Sequence, residues 1–204
     1  MQRRKPLVQK AFPSMPIREP ILAFTLTRLH SKPAFDPAPA PLRGEERMVG
    51  KLTRALDALD YPRGKLDIKL VVERDDFATL KAICARRLPG RYEIIVAPRG
   101  LPATKPRALN VALPAARGEL LVVYDAEDDP NPDQLRLAAA RFAADRSVDC
   151  LQAALTIENS SESWLSTMFA IEYAALFDLI NPGLATLDLP IALGGTSNHF
   201  RGIR

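Results

Sequence analysis

Cysteine, histidine and tryptophan are scarce in this 204-residue chain, and each scarcity removes a class of explanation. Two cysteines, Cys84 and Cys150, cannot build a disulfide framework, and with no secretory leader ahead of them they read as reduced cytosolic thiols. The two histidines, His30 and His199, have no second histidine at ligand spacing, so structural roles are expected for both. No stretch of about 18 uncharged apolar residues occurs, so no transmembrane helix is expected. Aromatic residues make up 6% of the chain, and none is interleaved with Arg3, Arg4 and Lys5, which ranks nucleic-acid binding last. No internal repeat is visible. What is present is ordinary for a globular protein: 47% hydrophobic and 25% charged residues, enough to bury a sizeable core. The net charge of +4 is unevenly spread. Residues 1–60 hold eleven Lys/Arg against six Asp/Glu, and residues 145–204 hold three against seven. A basic end suggests an anionic contact without naming one.

Eight of the 18 prolines fall between Pro6 and Pro41, and Ser31 to Pro41 has no usable hydrophobic period. Proline fixes φ and supplies no backbone donor, so residues 1–43 are expected to form a Pro-rich basic arm or linker. Within it, Ile21 to Leu29 is only a short apolar piece. A domain spanning 44–204 is expected to follow.

From Glu45 the pattern turns regular. Met48, Val49, Leu52, Ala55, Leu56 and Leu59 recur at helical spacing, and Tyr61-Pro62-Arg63-Gly64 stops the helix. Leu66 to Val72 reads as a strand. Asp75 or Asp76 can cap the next helix, whose buried side would hold Phe77, Leu80 and Cys84. Tyr92 to Ala97 is a second strand, and Thr104 opens a helix with Pro106 in its first turn. Leu120 to Tyr124 is a third strand without alternation, expected to be covered on both faces. Pro132 to Ala144 is a helix and Asp149 to Leu155 a fourth strand. Alternating strands and helices predict an α/β domain with a largely parallel sheet.

Ligands of such sheets sit beyond the carboxyl ends of the strands. Glu73, Arg74, Asp75 and Asp76 follow one strand, Lys105 lies after another, and Asp125, Glu127, Asp128 and Asp129 end a third. Crowded carboxylates repel unless a cation or donors compensate, and hard oxygen ligands suit Mg²⁺ or Mn²⁺. Taken alone, a solvated acidic loop is the simpler reading of Asp125 to Asp129, and helix capping the simpler reading of one carboxylate between Glu73 and Asp76. Lys105 in a first helical turn is electrostatically misplaced unless a phosphate or carboxylate compensates it.

The ordered segments ALDALDYP (55–62), VVERDD (71–76), KPRALN (105–110), YDAEDDPNPDQL (124–135) and GGTSNHFR (194–201) resemble family 2 glycosyltransferases. The resemblance is greatest to the processive, membrane-associated branch around cellulose synthase and bacterial exopolysaccharide synthases. It implies a GT-A fold, a Rossmann-like nucleotide-binding α/β domain, here expected to be incomplete at both ends. It also implies a nucleotide-sugar donor, a glycan acceptor and a divalent ion, Mn²⁺ or Mg²⁺. By position, Glu73 and Asp75 match the acidic pair that holds base and ribose, and Lys105 and Asn110 match the helix near the diphosphate. Asp125 and Glu127 match the D-x-D positions of the sugar nucleotide and metal, with Asp128 sharing that role. Gly195, Thr196 and Asn198 match the lining of the acceptor side.

The sequence also departs from that family. Members open with an apolar strand ending in a Pro-x-Tyr/Asn-x-Glu-like motif, whereas Pro41 to Glu45 is a poor remnant with no β-rich run before it. A missing first strand is therefore expected. The family's acidic catalytic base, its Gln-x-x-Arg-Trp motif and its membrane helices would lie beyond Arg204, so the catalytic residue is unknown and little transfer is expected from residues 1–204 alone. The resemblance places a full-length member at the cytoplasmic face of the inner membrane, and a fragment in the cytoplasm. Trp164 to Ile180 is expected to be a buried helix against the sheet, with a helix lying at the bilayer surface as the alternative. The competing function classes are a non-catalytic nucleotide-sugar-binding remnant and, more weakly, a domain that accepts phosphate on Asp125.

Overall fold

A computed structural model describes residues 21–26, 43–100 and 104–202. Apolar runs too short for helices form the parallel part of a six-stranded sheet. They are β1 (Ile21–Leu26), β2 (Leu66–Glu73), β3 (Tyr92–Ala97) and β4 (Leu120–Asp125), all parallel. Two short strands complete it, β5 (Cys150–Gln152) and β6 (Asn198–Arg201). The order is β3-β2-β1-β4-β6-β5, and β6 pairs antiparallel with both β4 and β5. The predicted α/β class with a largely parallel sheet is what forms.

The expected missing first strand is a correction. Ile21–Leu26 is the central strand, paired along its length with β2 on one side and β4 on the other. The prolines that argued against a strand flank this segment without entering it, so ILAFTL keeps every ladder donor.

Helices cover both faces. On one side α1 (Arg43–Asp57), α2 (Phe77–Cys84) and α4 (Gln134–Ala144) place Val49, Leu52, Leu56, Ile83, Leu135 and Phe142 against the sheet. There they meet the alternate residues Ile68, Leu70, Val72, Val122 and Tyr124. On the other side α3 (Lys105–Ala112) packs Ala108 and Ala112 on Val71, Ala97 and Val123. The same face buries Lys69 completely, with Nζ 2.9 Å from Asp67 Oδ1 and paired also with Glu93. Burial raises the Asp67 carboxyl, but Arg117 and Lys69 outweigh it and hold the group below its usual range.

Two helical expectations need correcting. In α2 the buried residues are Thr79, Ala82 and Ile83, while Phe77 is 70% exposed and Cys84 is exposed. The side chain of Asp76 caps the helix by accepting from Thr79, which draws Thr79 inward and turns Phe77 out. The segment from Trp164 is not a buried helix. It comprises α5 (Trp164–Ala174), a π-helical stretch Ala175–Ile180 and α6 (Asn181–Thr186). Trp164, Met168, Phe169, Ile171 and Leu179 are exposed, and Phe177 is buried. No helix among the described residues is long and apolar enough to cross a membrane.

Candidate functional site

Strand order reverses at β1: the chain first builds outward through β2 and β3, then returns to place β4 on the opposite side. In open α/β sheets that reversal leaves a crevice beyond the carboxyl ends of the two central strands. Leu26, the last residue of β1, is in register with Val71 and with Asp125. Glu73 and Asp125 therefore leave the sheet on either side of the same strand end.

Asp125 is the centre of a hydrogen-bonded cluster. Its backbone N–H donates to Asp128 Oδ2 at 2.7 Å and lies 3.1 Å from Thr196 Oγ1. The Thr196 hydroxyl donates to the same Asp128 oxygen. Lys105, the first residue of α3, donates to Asp125 Oδ1 and to the Gly195 carbonyl. A lysine that the helix dipole disfavours is thus compensated by a carboxylate and a carbonyl. Burial pushes the Asp128 carboxyl above its usual range, and the Asp125 and Glu127 charges add to this against the hydrogen bonds from Thr196 and the Asp125 amide.

The segment 194–198 is held as tightly. Ser197 has φ 56°, the left-handed region. Its N–H donates to Val123 O at 2.7 Å and its carbonyl accepts from Ala153 N at 3.0 Å. Strain of this kind costs on the order of 1–3 kcal/mol and persists only where neighbours over-determine it. Asn198 Nδ2 donates to Gly194 O at 2.6 Å, and Gln152 joins Gly194 N at 2.7 Å to Thr196 O at 3.1 Å. Beneath the cluster, Tyr124 is fully buried with its hydroxyl 3.1 Å from Gln134 Oε1. His199 meets the Tyr124 ring edge-on at 6.4 Å, and neither of its ring nitrogens has a hydrogen-bond partner among the described residues. Burial lowers the His199 imidazole to about 4, against smaller opposing effects of the Leu151 and Ser197 backbone.

The structure brings together Lys105, Asp125, Asp128, Gly195, Thr196 and Asn198. Glu73 stands on the other side of β1, with Oε2 3.5 Å from Arg107 Nη1. Asp75 is exposed and pairs with Arg99 at 2.6 Å. The cap on α2 belongs to Asp76, which leaves Glu73 and Asp75 outside that duty. Glu127 and Asn110 are exposed, and neither enters the hydrogen-bonded cluster. Sequence reasoning missed Arg107, Arg99 and Gln152. An arginine two residues after Lys105 on one short helix was a usable signal, whereas nothing local marked Gln152.

Among the described residues no three His, Cys, Asp or Glu side chains converge on one point. Asp125 and the exposed Glu127 offer hard oxygens on one turn, while Asp128 Oδ2 is already bonded within the protein. This set fits an ion that completes its coordination with phosphate oxygens, not a preformed cage.

A family model described as "Glycosyltransferase like family 2" matches residues 41–177. Among curated proteins, the beta-monoglucosyldiacylglycerol synthase of a Nostoc species is 30% identical over 126 residues, covering 60% of this chain and 26% of that protein. The Trichormus variabilis protein of the same name is 29% identical over 125 residues, with coverages of 60% and 26%. The chain thus spans about a quarter of the length of these relatives. Among solved structures, a mannosyltransferase from Pyrobaculum calidifontis in complex with GDP-Man and Mn²⁺ superposes with a TM-score of 0.56 at 19% identity, covering 90% of this chain and 45% of that one. Glucosyl-3-phosphoglycerate synthase from Mycobacterium tuberculosis, with Mn²⁺, UDP and glucosyl-3-phosphoglycerate, gives 0.50 at 13% identity, covering 95% and 63%. At these identities the likeness is one of fold, GT-A.

Proposed function

This chain belongs to glycosyltransferase family 2, and from that premise we propose that it transfers a hexose from a metal-bound nucleotide sugar to an acceptor hydroxyl. The observation that carries the reading is the convergence of Lys105, Asp125 and Gly195 at the strand-order reversal. Glu73 and Asp75 would accept hydrogen bonds from the nucleoside, and Lys105 would meet the diphosphate. Asn110 would lie toward the same diphosphate from α3. Asp125 and Glu127, with Asp128 behind them, would hold a Mn²⁺ or Mg²⁺ ion. Such an ion neutralises charge on a departing diphosphate. The Gly195 to Asn198 segment would face the acceptor.

Lys105 is already bound to Asp125, so an arriving ion and the ammonium compete for one carboxylate. A diphosphate relieves that competition by giving the ammonium a new anionic partner. Nucleotide and ion are therefore expected to bind together. Titration calorimetry with UDP and with GDP, each with Mn²⁺, tests this. Binding that needs the ion and is lost in Asp125→Ala is expected, and unchanged binding in that variant rejects the assignment.

Two acceptor classes follow from different observations. The order of motifs favours a growing glycan of an exopolysaccharide, as in the cellulose-synthase-like branch. The exposed apolar residues of α5 and the π-helical stretch after it favour an acceptor presented at a lipid surface, and the curated relatives carry the name of a diacylglycerol lipid synthase. The second reading has a structural feature behind it and is preferred. It places the chain at the cytoplasmic face of a membrane. Incorporation of radiolabelled sugar into organic-extractable lipid, against incorporation into water-soluble polymer, separates the two.

A further inference from the structure

Gln152 ends β5, and its side-chain amide spans the neighbouring loop. Oε1 accepts from Gly194 N at 2.7 Å, and Nε2 donates to Thr196 O at 3.1 Å and to Ala153 O at 2.9 Å. All of its amide groups are therefore in use, and the two ends of the Gly194–Thr196 segment are tied to one rigid group. A side chain on Gly194 would begin 3.3 Å from Gln152 Oε1, so the glycine lets the amide come this close. The tied segment supplies the carbonyl of Gly195 to Lys105 and the hydroxyl of Thr196 to Asp128. Left-handed Ser197 follows directly and is bonded to both β4 and the residue after Gln152.

We propose that Gln152 is a positioning residue: by clamping Gly194 and Thr196 it holds Lys105 and Asp128 in the arrangement that receives the nucleotide diphosphate. This rests on the nucleotide-sugar reading for its consequence, though the clamp itself does not. Its action is indirect. Gln152 touches neither Asp125 nor Lys105, and it works through a carbonyl and a hydroxyl that do. Without the clamp the Gly195 carbonyl no longer has a fixed direction, and the Lys105 ammonium loses one of its two partners.

Two variants separate positioning from packing. Gln152→Glu keeps the shape and the acceptor toward Gly194, but it turns a donor toward two carbonyls into an acceptor. Gln152→Ala removes the clamp altogether. The first measurement is the dissociation constant of UDP and GDP with Mn²⁺ by calorimetry, beside Asp125→Ala. The second is amide hydrogen exchange at Gly194 and Ser197 without nucleotide. Both variants are expected to weaken nucleotide binding about tenfold, through the Lys105 contact to the Gly195 carbonyl that the clamp supports. Exchange at Gly194 and Ser197 is expected to quicken more than about tenfold in Gln152→Ala. Wild-type affinity in Gln152→Glu would overturn the proposal, since a packing role alone predicts that result. If wild-type protein binds neither nucleotide, the functional reading fails by itself, and the exchange data still decide the clamp. Unchanged protection in Gln152→Ala then overturns it.

Discussion

Lowering the pH from 7.5 to 5 should destabilise this protein through one side chain, His199. The imidazole is buried, has no hydrogen-bond partner among the described residues, and is lowered from 6.5 to about 4. A depressed value means that the unfolded chain takes up a proton that the folded chain refuses. Stability is therefore full above pH 6.5 and is lost as the pH falls toward 4. Integrating the linkage relation gives a loss of about 2 kcal/mol by pH 5 and about 3 kcal/mol at pH 4. Asp128 acts with the opposite sign, because its raised carboxyl favours the folded state as protons are added. The comparison must therefore be a difference between two proteins. His199→Phe keeps an aromatic ring beside Tyr124 and cannot titrate. Urea unfolding followed by circular dichroism at pH 7.5, 6 and 5 should show a steeper loss in the wild type, by about 2 kcal/mol across the range. Parallel stability curves for the two proteins would refute the reasoning, whatever their absolute offset.

Three further outcomes are expected. Lys69→Ala should cost about 3–5 kcal/mol in urea unfolding, because it leaves a cavity and deprives Asp67 and Glu93 of a buried partner, while Lys69→Met, which keeps the stem, should cost less. Gly202→Ala should destabilise by about 1–3 kcal/mol in the same assay, since its Cβ would stand 2.6 Å from the Glu119 carbonyl. Trp164→Glu with Phe169→Glu should weaken co-sedimentation with neutral phospholipid vesicles more than about tenfold, each lost apolar side chain being worth roughly 1.5–3 kcal/mol. Unaltered sedimentation would remove the support for a lipid-presented acceptor.

The strands β2, β3 and β4 were legible because each is an apolar run bounded by turn residues, and the acidic residues were legible because they sit where those runs end. β1 was not. Five apolar residues and a threonine beside a Pro-rich stretch carry no period that separates a strand from other short apolar pieces, and only pairing on both sides makes Ile21–Leu26 central. The inward face of α2 was misjudged because Thr79 reads as polar and Phe77 as core. The capping carboxylate of Asp76 reverses both by satisfying Thr79 where it is buried. In the candidate site, Asp125 and Lys105 came from strand-end logic. Gln152 did not, because its partners are 42 and 44 residues away and meet it only through the β5–β6 pairing. The apolar residues of α5 look the same in sequence whether they face a core or water.

The antiparallel strand β6 also sets an order in time. β4 can pair with β1 as soon as both have left the ribosome, but its other edge accepts only β6, and Thr196 follows Asp125 by 71 residues. At typical synthesis rates of about 5–20 residues per second, that edge waits roughly 4–14 s with its backbone donors and acceptors unpaired. β5 emerges during the wait and cannot relieve it, because β5 pairs with β6 and not with β4. An open edge on a nascent sheet is a template for strands of other chains. The half of the site that holds Lys105 and Asp128 is therefore the last part to mature, and a chaperone acting on this protein would do most good in that interval.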